Sequence, residues 1–254
     1  MRGIKIVLSV ACIFLAAALT SFSQSEDEME IRNLIKKIDQ IYRAEASTAT
    51  LEMEIVTPHW SRTLKMETWT EGTKKTFIRI LKPAKEEGTG TLRVGNEMWN
   101  YLPKTNKVIK IPPSMMMSSW MGSDFTNDDL VKEFTFFDDF TYEWYEPEDP
   151  REGVYYVSCI PKEDRPIIWG NVVVAARKDD YIPLWQKYYD EKGNLMRELK
   201  YSEVKTFDDR RIPSVMEMIP QNEEGHKTTI RYLEAEFNVD ISEDIFSLRN
   251  LRAY

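Results

Sequence analysis

The feature that most constrains this chain is a change of period. From Ala49 onward apolar residues stop recurring at helical spacing and alternate one for one. Ala49, Leu51, Met53 and Ile55 interleave with Thr48, Thr50, Glu52 and Glu54, the signature of a strand buried on one face. Arg62–Thr70, Lys75–Leu81, Thr89–Val94, Glu97–Leu102 and Lys107–Ile111 follow, each short, rich in Thr or aromatics, and bounded by turn signals such as Glu71-Gly72, Gly95-Asn96 and Lys104-Thr105-Asn106. The second half repeats the habit in Phe134–Tyr145, Gly153–Pro161, Asn171–Lys178, Pro183–Tyr189, Leu195–Phe207, Ile212–Ile219 and His226–Phe237. Asp190–Asn194 and Gln221–Gly225 read as hairpin turns. Strands this close, without helices between them, predict an antiparallel meander rather than βαβ units. So many strands in one sheet predict strong curling, toward a curved sheet or partly closed barrel. The fold class expected is therefore mainly β (α+β), with one N-terminal helix and short covering helices.

That helix precedes the strands. Ser25-Glu26-Asp27-Glu28 reads as a capping box. Ile31, Leu34, Ile35, Ile38, Ile41 and Tyr42 then form one apolar stripe against Lys36, Lys37, Asp39 and Gln40. At the other end Asp240–Phe246 predicts a helical turn capped by Ser242.

Upstream of the helix, a basic start (Arg2, Lys5), an apolar run from Ile6 to Leu19 and small residues at Ser21 and Ser23 have the layout of a secretory signal peptide. Residues 1–23 are expected to be removed, leaving 24–254 as a single domain of a periplasmic or otherwise exported protein. The apolar run is shorter than the ~20 residues of a bilayer span. Cys12 comes early for a lipid-modified cysteine, and a membrane-tethered form stays open as an alternative. Cleavage takes two of the 34 Lys and Arg and none of the 42 acids, moving the net charge from −8 to about −10. Such a chain lacks the basic footprint of a nucleic-acid binder. Cys159, the one cysteine left, predicts a buried strand residue rather than a disulfide or metal ligand.

Catalytic motifs are absent. His59 and His226 stand apart from any zinc or triad pattern, and no P-loop, G-x-G-x-x-G or G-x-S-x-G occurs. Asp124, Asp128 and Asp129 resemble the start of a calcium loop, but Asp129 stands where Gly is needed and Thr135 where the bidentate Glu belongs. Thr126–Asp129 reads better as a capping box. Neither catalysis, cofactor nor metal is expected.

One segment breaks the strand rhythm. After Pro112-Pro113, four methionines (Met115, Met116, Met117, Met121) gather around Trp120, with Phe125 close behind. The cluster shows neither period, and methionine adapts to varied apolar partners. It reads as a loop or short helix across the opening of the sheet, either lining a ligand site or plugging the core. One face of the early strands (Leu51, Met53, Ile55, Leu64, Met66, Trp99, Tyr101) supplies the other candidate lining residues.

The helix followed by a wide meander, the M-G-S-D-F-x-x-D-D-L stretch from Met121 to Leu130, and the ending from Val239 to Leu251 resemble the outer-membrane lipoprotein-sorting protein family, in its LolA-like branch of exported bacterial proteins. The resemblance spans essentially the whole chain after residue 23. It implies a half-open β-barrel of LolA/LolB type lidded by helices, a concave face that accepts acyl chains, and a non-catalytic role. That role would be carrying a lipoprotein or lipid in the envelope, with an inner-membrane transporter complex as a possible partner. The alternative is an envelope scaffold that docks a membrane complex without carrying lipid.

Overall fold

The structure, a computed structural model, describes residues 28–131, 139–163, 165 and 167–253. The expected signal peptide, residues 1–23, and the Ser25 cap lie outside them.

Thirteen antiparallel strands form one sheet: β1 (Ala46–Val56), β2 (Ser61–Glu71), β3 (Lys75–Lys82), β4 (Gly90–Val94), β5 (Glu97–Leu102), β6 (Lys107–Lys110), β7 (Phe140–Trp144), β8 (Val154–Pro161), β9 (Asn171–Arg177), β10 (Pro183–Tyr189), β11 (Leu195–Phe207), β12 (Arg210–Pro220) and β13 (Lys227–Phe237). Their order is β6-β5-β4-β3-β2-β1-β13-β12-β11-β10-β9-β8-β7. Two sequential meanders are thus joined where the first strand meets the last, Ser47 opposite Phe237 and Met53 opposite Ile230. The sheet curves without closing, because β6 and β7 remain at its two edges.

Twelve strands fall where alternation places them. The exception is β7, expected from Phe134: Asp139 is helical and pairing begins at Phe140, while 132–138 lie outside the described residues.

The inner face is the main core. Alternate residues of neighbouring strands meet there: Met53 and Ile55, Leu64 and Met66, Ile78 and Ile80, Val172 and Val174. The N-terminal helix α1 (residues 28–39) lies across this face and buries Ile31, Leu34, Ile35 and Ile38. The helix stops at 39, so Ile41 and Tyr42 belong to the turn that follows.

A second, smaller cluster occupies the opposite face. Phe77 and Leu92 are covered by Phe246 and Leu251 from the C-terminal segment. That segment forms a 3-10 turn, Glu243–Phe246, and a short helix, Leu248–Arg252. Ser242 stands at the expected N-cap, but its side chain makes no capping bond. Ser247 caps instead, its hydroxyl accepting from the Asn250 amide at 3.1 Å. Arg79, only 6 % exposed, fastens the segment by donating to the Asn250 and Leu251 carbonyls, which a helix end leaves without internal partners.

Candidate functional site

Between α1 and the inner face the sheet leaves a cavity of about 350 Å³, within the range of roughly 300–1,000 Å³ usual for ligand sites. Its walls are mostly apolar: Ile35 and Ile38 from α1, Leu51, Ile78, Val174, Leu199, Met216, Met218 and Ile230 from the strands, and Phe125 from the segment before β7. Polar groups are fewer. Thr68, Thr70 and Thr76 stand by the β2–β3 turn, Asp39 and Arg43 form an ion pair four residues apart, and Gln186 and Asp129 complete the polar lining.

Four tyrosines join this wall, Tyr42, Tyr188, Tyr201 and Tyr232. The Tyr42 ring lies 6.1 Å from Tyr201 and 6.0 Å from Tyr232, and its hydroxyl donates to the Pro213 carbonyl at 2.9 Å. Burial, with the neighbouring phenols adding to it, pushes the pKa of Tyr42 and Tyr201 well above the usual value, so both stay neutral. The wall of the cavity therefore offers hydroxyls and amides rather than unpaired charge.

The Met-Trp segment closes one side. It runs from Ile111 through a 3-10 turn, Pro113–Met115, into the short helix α2 (Asn127–Val131). It is fastened to itself by a bridge between Ser119 and Thr126. Trp120 is 2 % exposed, and its indole N–H donates to Thr91 Oγ1 at 3.1 Å. The expected capping box is present. The Asp129 amide donates to Thr126 Oγ1 at 3.1 Å, and the Asp129 carboxylate accepts from the Thr126 amide at 2.8 Å.

That carboxylate does more. Arg197 of β11 donates to both its oxygens at 2.7 Å, while the guanidinium packs 4.5 Å from the Trp169 ring and 4.4 Å from Tyr188. Burial opposes the charge on Arg197, but the bonds and charge of Asp129 outweigh it and raise its pKa. With both oxygens committed, Asp129 is poorly placed to act as a general base.

The candidate residues separate into groups. Leu51 and Phe125 line the cavity. Met53, Ile55, Leu64, Met66 and Trp120 are packed in the core beside it, with Met116 and Met121 against their edge. Met115 and Met117 are exposed. Trp99 and Tyr101 stand on the opposite face, with Phe77 and Leu92, because the parity of β5 turns Met98 inward and its odd-numbered neighbours outward.

The cavity residues that sequence reasoning missed come from α1 (Ile35, Ile38), from β2 and β3 (Thr68, Thr70, Thr76, Ile78) and above all from the second meander. The signal for the last was the alternation of Ile212–Ile219 and His226–Phe237, which marks a buried face without saying where packing is left incomplete. Cys159 is the fully buried strand residue expected, and burial pushes its thiol pKa up. A broader depression on the opposite face, lined by Thr48, Thr50, Glu67, Trp69, Glu234 and Glu236, is polar and open.

A family model described as "Uncharacterized protein" matches residues 72–253, and no curated protein matches the chain. Solved structures do. A DUF1329 family protein from Desulfovibrio piger is 24 % identical with a TM-score of 0.79, covering 89 % of this chain and 99 % of its own. An outer membrane lipoprotein-sorting protein domain from Vibrio parahaemolyticus is 22 % identical with a TM-score of 0.75, covering 87 % and 97 %. A LolA superfamily protein from Nitrosomonas europaea is 17 % identical with a TM-score of 0.72, covering 86 % and 97 %. At these identities the likeness is one of fold.

Proposed function

Because this chain belongs to a family of uncharacterized proteins and shares its fold with a LolA superfamily protein, we propose that it is a non-catalytic carrier for a lipid or lipoprotein acyl chain, working in the periplasm after export. The observation that carries this reading is the apolar cavity under α1, whose two carboxylates are each paired with an arginine, Asp39 with Arg43 and Asp129 with Arg197. An acyl chain is held by burial alone, at about 0.8 kcal/mol per methylene. Ten methylenes would contribute about 8 kcal/mol before the costs of association. The hydroxyls of Thr68, Thr70 and Thr76 would meet the polar end of such a molecule.

The names of the Vibrio and Nitrosomonas proteins support the reading by fold. Among the described residues no helix is long and apolar enough to cross a membrane. Exposed Trp60, Met115 and Met117 offer apolar contacts through which a membrane complex could deliver or receive the cargo. The scaffold alternative would use those contacts alone.

Native mass spectrometry with lipid extraction, on protein purified from an envelope fraction without detergent, tests the proposal. An acyl lipid or lipoprotein near one-to-one is expected. Met216→Glu, which places a carboxylate on the cavity wall, should lower retention roughly tenfold or more, because an unpaired charge is costly to bury. A bare mass that stays bare after incubation with lipid vesicles would overturn the carrier reading in favour of the scaffold.

A further inference from the structure

The M-G-S-D-F stretch contains one residue that neither the core nor the cavity uses. Met121 and Gly122 both take positive φ, 52° and 74°, and turn the chain sharply. Phe125 enters the core, and Ser123 bonds back to the Trp120 carbonyl at 2.7 Å. Asp124, between them, is directed to the start of β13. Its amide donates to Thr228 Oγ1 at 2.9 Å, and the Thr228 hydroxyl donates to Asp124 Oδ2 at 2.6 Å.

The other carboxylate oxygen, Oδ1, faces His226 Nδ1 at 3.8 Å, beyond hydrogen-bonding distance. The same nitrogen lies 3.0 Å from Glu223 Oε2. One imidazole nitrogen therefore sits between two carboxylates, one on a side chain 9 % exposed and the other on one 53 % exposed. All three donor atoms lie within 4.8 Å of one another.

We infer that Asp124, Glu223 and His226 form a binding site for a divalent metal ion of the zinc class, which clamps the Met-Trp segment to the β12–β13 turn. The donor set, one imidazole and two carboxylates with room for solvent, is one that zinc accepts. Zinc needs its ligand atoms roughly 3.4 Å apart, as follows from bonds of about 2.0–2.2 Å in a tetrahedron. The partly exposed His226 ring can close on Asp124, which Thr228 holds fixed, while the exposed Glu223 side chain adjusts to both. The metal replaces the proton on His226 Nδ1, which leaves to solvent, and it neutralises two carboxylates that otherwise repel each other. Sequence spacing hides the site, because Asp124 is far from the other two ligands along the chain and joins them only through the fold.

The test is calorimetric titration of chelator-treated protein with zinc chloride, alongside His226→Gln and Asp124→Asn. We expect one equivalent to bind to the natural chain, with affinity falling at least roughly tenfold in each variant. Asp190→Asn, in a distant turn, should bind as the natural chain does. Zinc should also raise the melting temperature of the natural chain and leave that of the variants unchanged. His226→Gln alters a partly exposed side chain, so it stays informative if Asp124→Asn fails to fold. Absence of saturable one-to-one binding, or binding unaltered in His226→Gln, would overturn the inference. The titration involves no lipid, so its failure leaves the carrier reading standing.

Discussion

At the scale of single residues, the pair most exposed to mutation is Arg197 and Asp129. Both side chains are under a tenth exposed, and both oxygens of Asp129 accept from the two terminal nitrogens of Arg197. Arg197→Met should destabilise the fold by about 3–5 kcal/mol, because it leaves Asp129 buried without its partner. The double change Arg197→Met with Asp129→Leu should recover much of that loss, since no charge then remains to be solvated. Urea denaturation of the three proteins decides it: equal losses in the single and double variants would show that the pair contributes through packing on Trp169 and Tyr188 instead. The Thr126–Asp129 box was legible in the sequence because capping is a local pattern. The bond to Arg197 was not, because β11 arrives beside α2 only through the curvature of the sheet.

At the scale of elements, strand positions were legible nearly everywhere, and the faces only in part. Alternation tells that Leu64 and Met66 share a side of β2. It does not tell that Trp99 and Tyr101 lie on the opposite side of the sheet, since the C-terminal segment gives that side a core of its own. Two apolar faces defeat an argument built on one. The segment therefore matters to stability out of proportion to its length. A chain ending at residue 239 would expose Phe77 and Leu92, each contributing about 1.5–3 kcal/mol when buried. We expect it to bind a hydrophobic dye and to associate on size-exclusion chromatography; a monomeric, dye-silent truncation would show that the outer cluster is dispensable. Gly90 belongs to the same contact, for a Cβ there would meet Leu251 Cδ1 at 2.7 Å. The Met-Trp segment illustrates the opposite limit. Its lack of period marked it as irregular, but burial of Trp120 beside exposed Met115 and Met117 depends on which strands it crosses.

At the scale of the whole molecule, curvature followed from the number of strands and the half-open form from the family resemblance, whereas the order of strands followed from neither. Hairpins predict each meander; nothing local predicts that β1 pairs with β13. That pairing joins the two meanders into one sheet. Unfolding should therefore show as a single transition, with fluorescence and circular dichroism coincident; two resolved transitions would mean that each half-sheet is stable alone. The cavity belongs to this scale as well, since Leu51 and Ile78 come from one meander and Val174, Leu199, Met216 and Ile230 from the other.

The same pairing has a consequence for timing. A chain that enters a compartment N-terminus first can build its early hairpins at once, yet one border of β1 stays bare until Phe237 arrives to face Ser47. Until then the cavity has only one wall, and the bare border is open to other strands. Contacts so distant along the chain also form slowly. Assembly of the cavity is thus a late event in the completion of the chain.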